Sequence, residues 1–429
     1  MKIVLIGAGS RSFGRGQVAD ILHAKELVGR GVRLVLVDEN PGALDVMTRL
    51  AERVRTHTGT DVRIESTTDR RKALPDANYV LTAVARKRME LWEQDFRVPL
   101  AYGFRHCLGE NGGPGALFHA MRSFELMIPI CRDMERLCPD AWLFNFTNPE
   151  ARVLHAVSHL TKVKAAGFCH GVFTALDFIS RYLNRPLDGF EIHSAGINHF
   201  YCILKAVDRE TGEDLRPYLV RKVIEDPNAG PLFRKIAEVF GVFTFPSEDH
   251  IGEYLSFGSE FMGVKWHYGS ESRNIPLREQ KPTGPSLEDY ASGNAPLDAE
   301  ILTTTEELTV PAIIDMELDR KSFRPAVNVL NTKRYIENLP SAGAVEVPAT
   351  IDREGIHPIH VGAIPEPFAE LMRRQLAINE LVTEAYRTRS KKVLLQALLL
   401  DPVVASATAA ERLLDDMLEL QKDFLPTFS

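Results

Sequence analysis

Two short segments bring together residue types that bind metals: Cys169-His170-Gly171-Val172 and Gly196-Ile197-Asn198-His199, each closing a run of strand-forming residues. A thiolate and a neutral imidazole are good ligands for a divalent transition metal. One of each is too few for a structural zinc site, which takes four protein ligands. Two protein ligands leave positions open for substrate oxygens and water, which a catalytic metal needs. The plainer alternatives are a small core thiol and a hydrogen-bonded turn histidine. A second signal opens the chain. Gly7-Ala8-Gly9-Ser10 follows the β-rich run Lys2 to Ile6 and precedes a helical stretch. Such a turn lets the backbone approach a pyrophosphate, whose charge the helix N-terminus stabilises. Ser12 stands where a third glycine is usual, and Gly14 follows two residues later. Asp38 ends the next strand candidate, Val32 to Val37, where a carboxylate accepts both ribose hydroxyls and repels a 2′-phosphate. With no arginine expected beside Asp38, Gly7, Gly9, Ser10 and Asp38 predict NAD rather than NADP.

The elements that position these residues alternate. Further strand candidates are Tyr79 to Ala83, Ala141 to Phe146 and Lys164 to Phe168, with helical lengths between them. Alternation of this kind predicts an α/β fold, a doubly wound parallel sheet of Rossmann type. Cys169 and His170 then emerge at the carboxyl edge of the sheet, where open α/β sheets bind ligands. Beyond Gly189 the pattern changes to an α+β segment. Phe190 to Ala195 and Tyr201 to Val207 read as strands around Asn198-His199, and Arg216 to Phe240 as helix broken at Pro227 and Gly230. Gly269 to Leu297 reads as a surface excursion. Helix returns over Leu371 to Tyr386 and Ala409 to Leu420, where Ala410, Leu413, Leu414 and Met417 share a face. The expected division is a dinucleotide-binding domain over 1–189 and a substrate, metal and oligomerisation domain over 190–429, interlocked at the active site.

Asn148-Pro149 at a strand end resembles the asparagine of lactate and malate dehydrogenases that orients a substrate hydroxyl beside the nicotinamide, but their histidine pattern is missing. A fuller resemblance covers nearly the whole chain. Gly7-Ala8-Gly9-Ser10, Asn148-Pro149, Gly167-Phe168-Cys169-His170-Gly171 and Gly196-Ile197-Asn198-His199 occur in the order of family 4 glycoside hydrolases. So do Asn331-Thr332-Lys333, Ile336 to Pro340, Val345-Glu346-Val347-Pro348, Gly355-Ile356-His357-Pro358 and Ile364-Pro365. The resemblance implies NAD and a divalent metal, usually manganese. It also implies an elimination mechanism: oxidation at sugar C3, proton removal at C2, loss of the C1 substituent, then water addition and re-reduction. Such enzymes stand outside the two-carboxylate scheme of most glycosidases.

The resemblance also assigns roles. Cys169 and His199 match the metal ligands, and Asn148 the residue holding the sugar beside the nicotinamide. Asn198 supports the same hydroxyls, and His170 contacts O2 or braces the loop. The stretch Phe245 to Tyr254 matches the segment carrying the C2 base, with Asp249 first and Tyr254 or His250 as alternatives. The loop Cys107 to Gly115 matches one that contacts substrate, which singles out Asn111 and, as an acid, Glu110. The loop precedes a helix whose first turn is a candidate to present backbone N–H groups to the sugar or cofactor. His170, where phospho-sugar members carry aspartate or asparagine, points to unphosphorylated α-glycosides. Gly171 resembles α-uronidases such as α-galacturonidase and α-glucuronidase, with α-glucosidase and α-galactosidase as the alternatives. A uronide carboxylate needs a cation, for which the run Arg86-Lys87-Arg88 and Arg324 are candidates.

Composition agrees with an enzyme. The 429 residues are 45% hydrophobic and 25% charged with a formal charge of -7, so the basic excess of a nucleic-acid binder is missing. No apolar run is long enough for a membrane span, the start lacks a signal-peptide pattern, and the five cysteines form no CxxC pair. The expectation is a cytoplasmic enzyme with a small carbohydrate substrate, no nucleic-acid or membrane partner, and a homodimeric or homotetrameric assembly. The other classes open at this point are a catalytically silent sugar and NAD sensor and a simple NAD-dependent sugar dehydrogenase.

Overall fold

The computed structural model describes residues 1–11, 13–266 and 284–429. Its strands are β1 (Lys2–Ile6), β2 (Arg33–Val37), β3 (Arg63–Thr67), β4 (Tyr79–Thr82), β5 (Trp142–Asn145), β6 (Lys164–Gly167), β7 (Phe190–Ile197), β8 (Phe200–Asp208), β9 (Ser322–Leu330), β10 (Ala344–Asp352) and β11 (Gly355–Pro358). They form one sheet in the order β3-β2-β1-β4-β5-β6-β9-β10-β7-β8, with β11 paired to β10. The first six strands are parallel and the rest antiparallel. The two expected segments therefore share a sheet, joined where Gly167 pairs with Asn328.

Both faces of the parallel half are covered, which is why β1 reads as an unbroken apolar run. Val4 and Ile6 face a cluster built with the helix Gly115–Leu137 and the carboxyl-terminal helices Glu366–Thr388, Lys391–Leu400 and Ala407–Leu420. Ile3 and Leu5 face the helices Phe13–His23, Pro41–Thr58 and Thr309–Leu318. Ala410, Leu413, Leu414 and Met417 are all buried, as their spacing predicts. Arg216 to Phe240 divides into helices Arg216–Glu225 and Pro231–Phe240.

Several elements depart from expectation. β3 is a polar edge strand, RIEST, whose charges suit an edge rather than a core. In β10 the register shifts between Val347 and Ala349, around Pro348, which has no N–H to give the ladder. These features hide both strands from a search for apolar alternation. Part of the excursion expected over Gly269 to Leu297 lies outside the described residues, as does Ser12. Within the remainder, Leu287–Ser292 is a helix with a capping box at Ser286, and its Tyr290 and Ala291 are buried. Arg49 pairs with Glu288 at 2.6 Å, and Arg53 donates to the Ala295 carbonyl at 3.1 Å. Among the described residues, no helix is long and apolar enough to cross a membrane.

Gly14 takes over the packing job of the missing third glycine, since a Cβ there would lie 2.1 Å from the Ala8 carbonyl oxygen. Gly14→Ala should cost about 1–3 kcal/mol of overpacking, read as a lower urea midpoint. Gly42→Ala is the control: its Cβ would meet Asn40 Oδ1 at 3.4 Å, an ordinary contact, and the midpoint should hold or rise.

Candidate active site

One cavity of about 980 Å³ runs from the glycine turn to the Cys169–His199 pair. Gly7 and Asp38 lie at one end, past the ends of β1 and β2, and Asn148, Cys169, His199 and Asp249 at the other. Gly7 has φ +89°, and its N–H donates to Val37 O at 2.9 Å. A Cβ on Gly9 would lie 2.7 Å from Ala43 Cβ and 2.8 Å from Asp38 Oδ2. Ser10 Oγ accepts from Phe13 N–H at 3.2 Å and starts the helix. Asp38 accepts from Gly9 N–H through Oδ2 and from Asn40 N–H through Oδ1, both at 2.9 Å, which leaves each oxygen a further lone pair. An arginine does lie nearby, contrary to the sequence expectation. Arg86 lines the cavity and makes forked bonds of 2.8 and 2.9 Å to Glu39, next to Asp38.

At the other end, Cys169 Sγ and His199 Nε2 are 3.2 Å apart. His199 sits in the β7–β8 turn at φ +63°, stacked on Phe245 at 5.4 Å, which turns its ring toward the thiol. Burial, aided by His250, lowers His199 to about 3, so its imidazole is neutral. Burial, with Glu346 and Glu307, pushes the Cys169 thiol far up. A bound cation is the charge that would turn this thiol into a thiolate. Among the described residues, no group of three or more His, Cys, Asp and Glu could hold a metal ion.

The other expected residues divide. Asn148 follows β5, joined to Pro149 by a cis peptide, and donates to Glu110 Oε1 at 3.3 Å. His170 lines the cavity and pairs with Glu307 at 2.9 Å, an interaction that braces its loop and raises its pKa. Asp249 Oδ1 accepts from His250 Nδ1 at 2.8 Å, His250 N–H at 2.9 Å and Ser247 Oγ at 2.9 Å. Although burial opposes it, His250 and Ser247 hold the Asp249 carboxyl well below its usual range. Burial likewise disfavours charge on His250, but Asp249 raises it to about 9.

Several assignments change. Tyr254 is a core residue stacked on Phe200, and its hydroxyl donates to Asn198 O at 3.2 Å, away from the cavity. Asn198 is buried behind the wall and gives its amide to Glu346 at 2.9 Å. Asn111 is also buried off the cavity, because its loop faces inward: the N–H groups of Glu110, Asn111 and Gly112 donate to Glu253 Oε2 at 2.6, 2.8 and 3.1 Å. Glu110 does line the cavity, as a carboxylate paired with Arg88. Burial raises its carboxyl, yet Arg88 at 2.6 Å, with His119 and His250, outweighs burial and holds it at about 2. Among the cations, Arg324 is spent on Asp315 at 2.7 Å, off the cavity.

Among the cavity residues that sequence reasoning missed are His119 and Glu150. His119, one turn into the helix Gly115–Leu137, donates through Nδ1 to the Glu110 carbonyl, 2.8 Å away. No local pattern marks it. Glu150 does carry a signal, since it follows Asn148-Pro149 directly. Its carboxyl is pushed well above the usual range by burial and by Glu346.

The fold is an α/β sheet whose cavity joins a glycine turn to a thiol–imidazole pair. Residues 2–185 match the Family 4 glycosyl hydrolase model, and residues 194–404 match the Family 4 glycosyl hydrolase C-terminal domain. The chain belongs to the family 4 glycosyl hydrolases. It is 32% identical to an alpha-glucosidase of Erwinia rhapontici over 99% of this chain and 98% of that one. It is 31% identical to an alpha-galactosidase of Bacillus subtilis (strain 168), over 100% and 99%. A 6-phospho-alpha-glucosidase from gut microorganisms, solved with NAD and Mn²⁺, shares the fold at a TM-score of 0.84 and 21% identity, over 100% of this chain and 99% of that one.

The Arg88–Glu110 pair yields a pH-dependent prediction. Glu110 in the folded protein titrates near 2, below its ordinary 4.5. Its contribution to stability is therefore complete above pH about 4.5 and is lost as pH falls through about 2. Arg88→Met should destabilise by about 2 kcal/mol at neutral pH, allowing for screening at the half-exposed arginine. Urea unfolding should show that difference shrinking below pH about 4.5.

Proposed function

We propose that this chain hydrolyses unphosphorylated α-glycosides by oxidation at C3, proton removal at C2 and elimination at C1, with NAD and a divalent metal such as manganese. The observation that carries the reading is the single cavity joining the glycine turn and Asp38 to Asn148, Cys169, His199 and Asp249. Relatives named as alpha-glucosidase and alpha-galactosidase, and a similar fold solved with NAD and Mn²⁺, support it.

The residues fit both groups. Gly7 and Gly9 line the cavity without a Cβ, and Asp38 keeps lone pairs for a ribose. When bound, NAD supplies a hydride acceptor that later returns the hydride. Cys169 and His199 would hold a divalent metal, their donor atoms already converging and the imidazole already neutral. When bound, the metal supplies Lewis acidity toward sugar oxygens.

The protein's own part is orientation and proton transfer. Asn148, fixed through its carbonyl by Ser123 Oγ at 2.7 Å, points its amide toward Glu110 and the sugar space. Glu110, ionised beside Arg88, accepts hydrogen bonds from sugar hydroxyls rather than donating a proton. Asp249 takes the C2 proton at Oδ2, since the contacts from His250 and Ser247 all go to Oδ1. His250, charged beside it, keeps that carboxylate ionised between turnovers.

For the sugar, we take a neutral glucoside or galactoside ahead of a uronide. The uronide reading needs an uncommitted cation, and Arg88 is engaged by Glu110 while Arg86 is engaged by Glu39. A nitrophenyl α-glycoside panel with NAD and Mn²⁺ in heavy water tests this. Glucoside or galactoside should turn over ahead of glucuronide and galacturonide, with deuterium at C2 of the product and none at C3. Product without C2 deuterium removes the elimination mechanism, and reduction of NAD without glycoside cleavage makes the chain a dehydrogenase. Cys169→Ser and His199→Ala should each weaken Mn²⁺ binding at least about 10-fold by electron paramagnetic resonance. Nicotinamide binding, followed by fluorescence, should hold in both variants.

A further inference from the structure

We propose that Glu253 is a positioning residue that sets the Glu110 carboxylate in the sugar end of the cavity; the proposal rests on Glu110 contacting the sugar. Three consecutive N–H groups, of Glu110, Asn111 and Gly112, converge on Glu253 Oε2 at 2.6, 2.8 and 3.1 Å. Successive N–H groups turned to one side form a nest that fits a carboxylate oxygen. Positive φ at Gly109 (+70°) and Gly113 (+81°) brackets the nest and gives the loop its curl. Its occupant is internal: Glu253 is 1% exposed, so no ligand reaches those N–H groups.

The consequence for Glu110 is geometric. Its N–H is held by Glu253 and its carbonyl by His119 at 2.8 Å, so both backbone polar groups of residue 110 are engaged on the protein side. The side chain is left to emerge into the cavity, where it meets Arg88 at 2.6 Å and Asn148 at 3.3 Å. Gly112 closes the joint, since a Cβ there would lie 2.5 Å from the Glu253 carbonyl oxygen. Glu253 also directly follows the helix Glu248–Gly252, which carries Asp249 and His250. One side chain thus ties the loop bearing the sugar-binding carboxylate to the segment bearing the base. A shift of this joint moves two groups that must address one sugar ring, and misplacement by about 1 Å costs on the order of 100-fold in rate.

A double-mutant cycle tests the proposal. Glu253→Ala should lower kcat/KM by about 10- to 100-fold per folded molecule, with the folded fraction read from urea unfolding. Glu253→Gln, whose carbonyl oxygen accepts the same three N–H bonds, should retain most of the activity. In a Glu110→Ala background, Glu253→Ala should add no further loss. Glu253→Asp withdraws the oxygens by one methylene and replaces alanine if that variant does not fold. Additive losses in the cycle, a glutamine variant as poor as alanine, or a harmless alanine would each overturn the proposal. If Glu110→Ala alone leaves kcat/KM unchanged, the reading of Glu110 as a sugar contact fails instead. That outcome is distinct from additivity.

Discussion

The junction of the parallel and antiparallel halves of the sheet rests on one close approach, at Gly167. There β6 pairs with β9, Gly167 against Asn328, and a Cβ on residue 167 would lie 1.5 Å from Glu150 Oε1. Only glycine lets the Glu150 carboxyl lie over the strand two residues before Cys169. From this junction a row of mostly polar residues crosses the sheet in register: Thr82, Asn145, Gly167, Asn328, Glu346 and Gly196. Asn198 then hangs from Glu346 by its amide, and the adjacent His199 comes to 3.2 Å from Cys169. The pair of candidate metal ligands is thus assembled through the sheet's register across strands distant in sequence.

Such a row is costly to bury, and its members offset the cost by bonding one another. Asn198 and Asn328 both donate to Glu346 Oε2, at 2.9 and 3.2 Å. Burial still pushes Glu346 up to about 7, against both amides. The same tension runs through the cavity wall, where Glu110 and Asp249 are held ionised by cations while Glu150 is pushed toward its neutral form. Carboxyls lining one cavity thus stand in opposite states because their nearest partners differ. An elimination sequence needs this separation of roles, with an acceptor for one proton and fixed hydrogen-bond partners for the hydroxyls that remain.

Much of the molecule is legible in the sequence because local chemistry dictates it. The glycine turn, the apolar strands buried on both faces, the acidic residue ending β2 and the four-residue face of the last helix each follow from residue type and period. Cys169, His199 and Asn148 mark themselves by standing at strand ends, and the family is recognisable from their order. Tertiary packing decided the rest. It alone turns Tyr254 into the core and gives the Asn198 amide to Glu346. It fills the loop N–H groups with Glu253 and pairs Glu110 with Arg88, making a carboxylate of a candidate acid. Those outcomes depend on which side chains meet across 22 to 148 residues of chain. No local period or propensity encodes such meetings; they exist only once the sheet register and the packing of its covering helices are set.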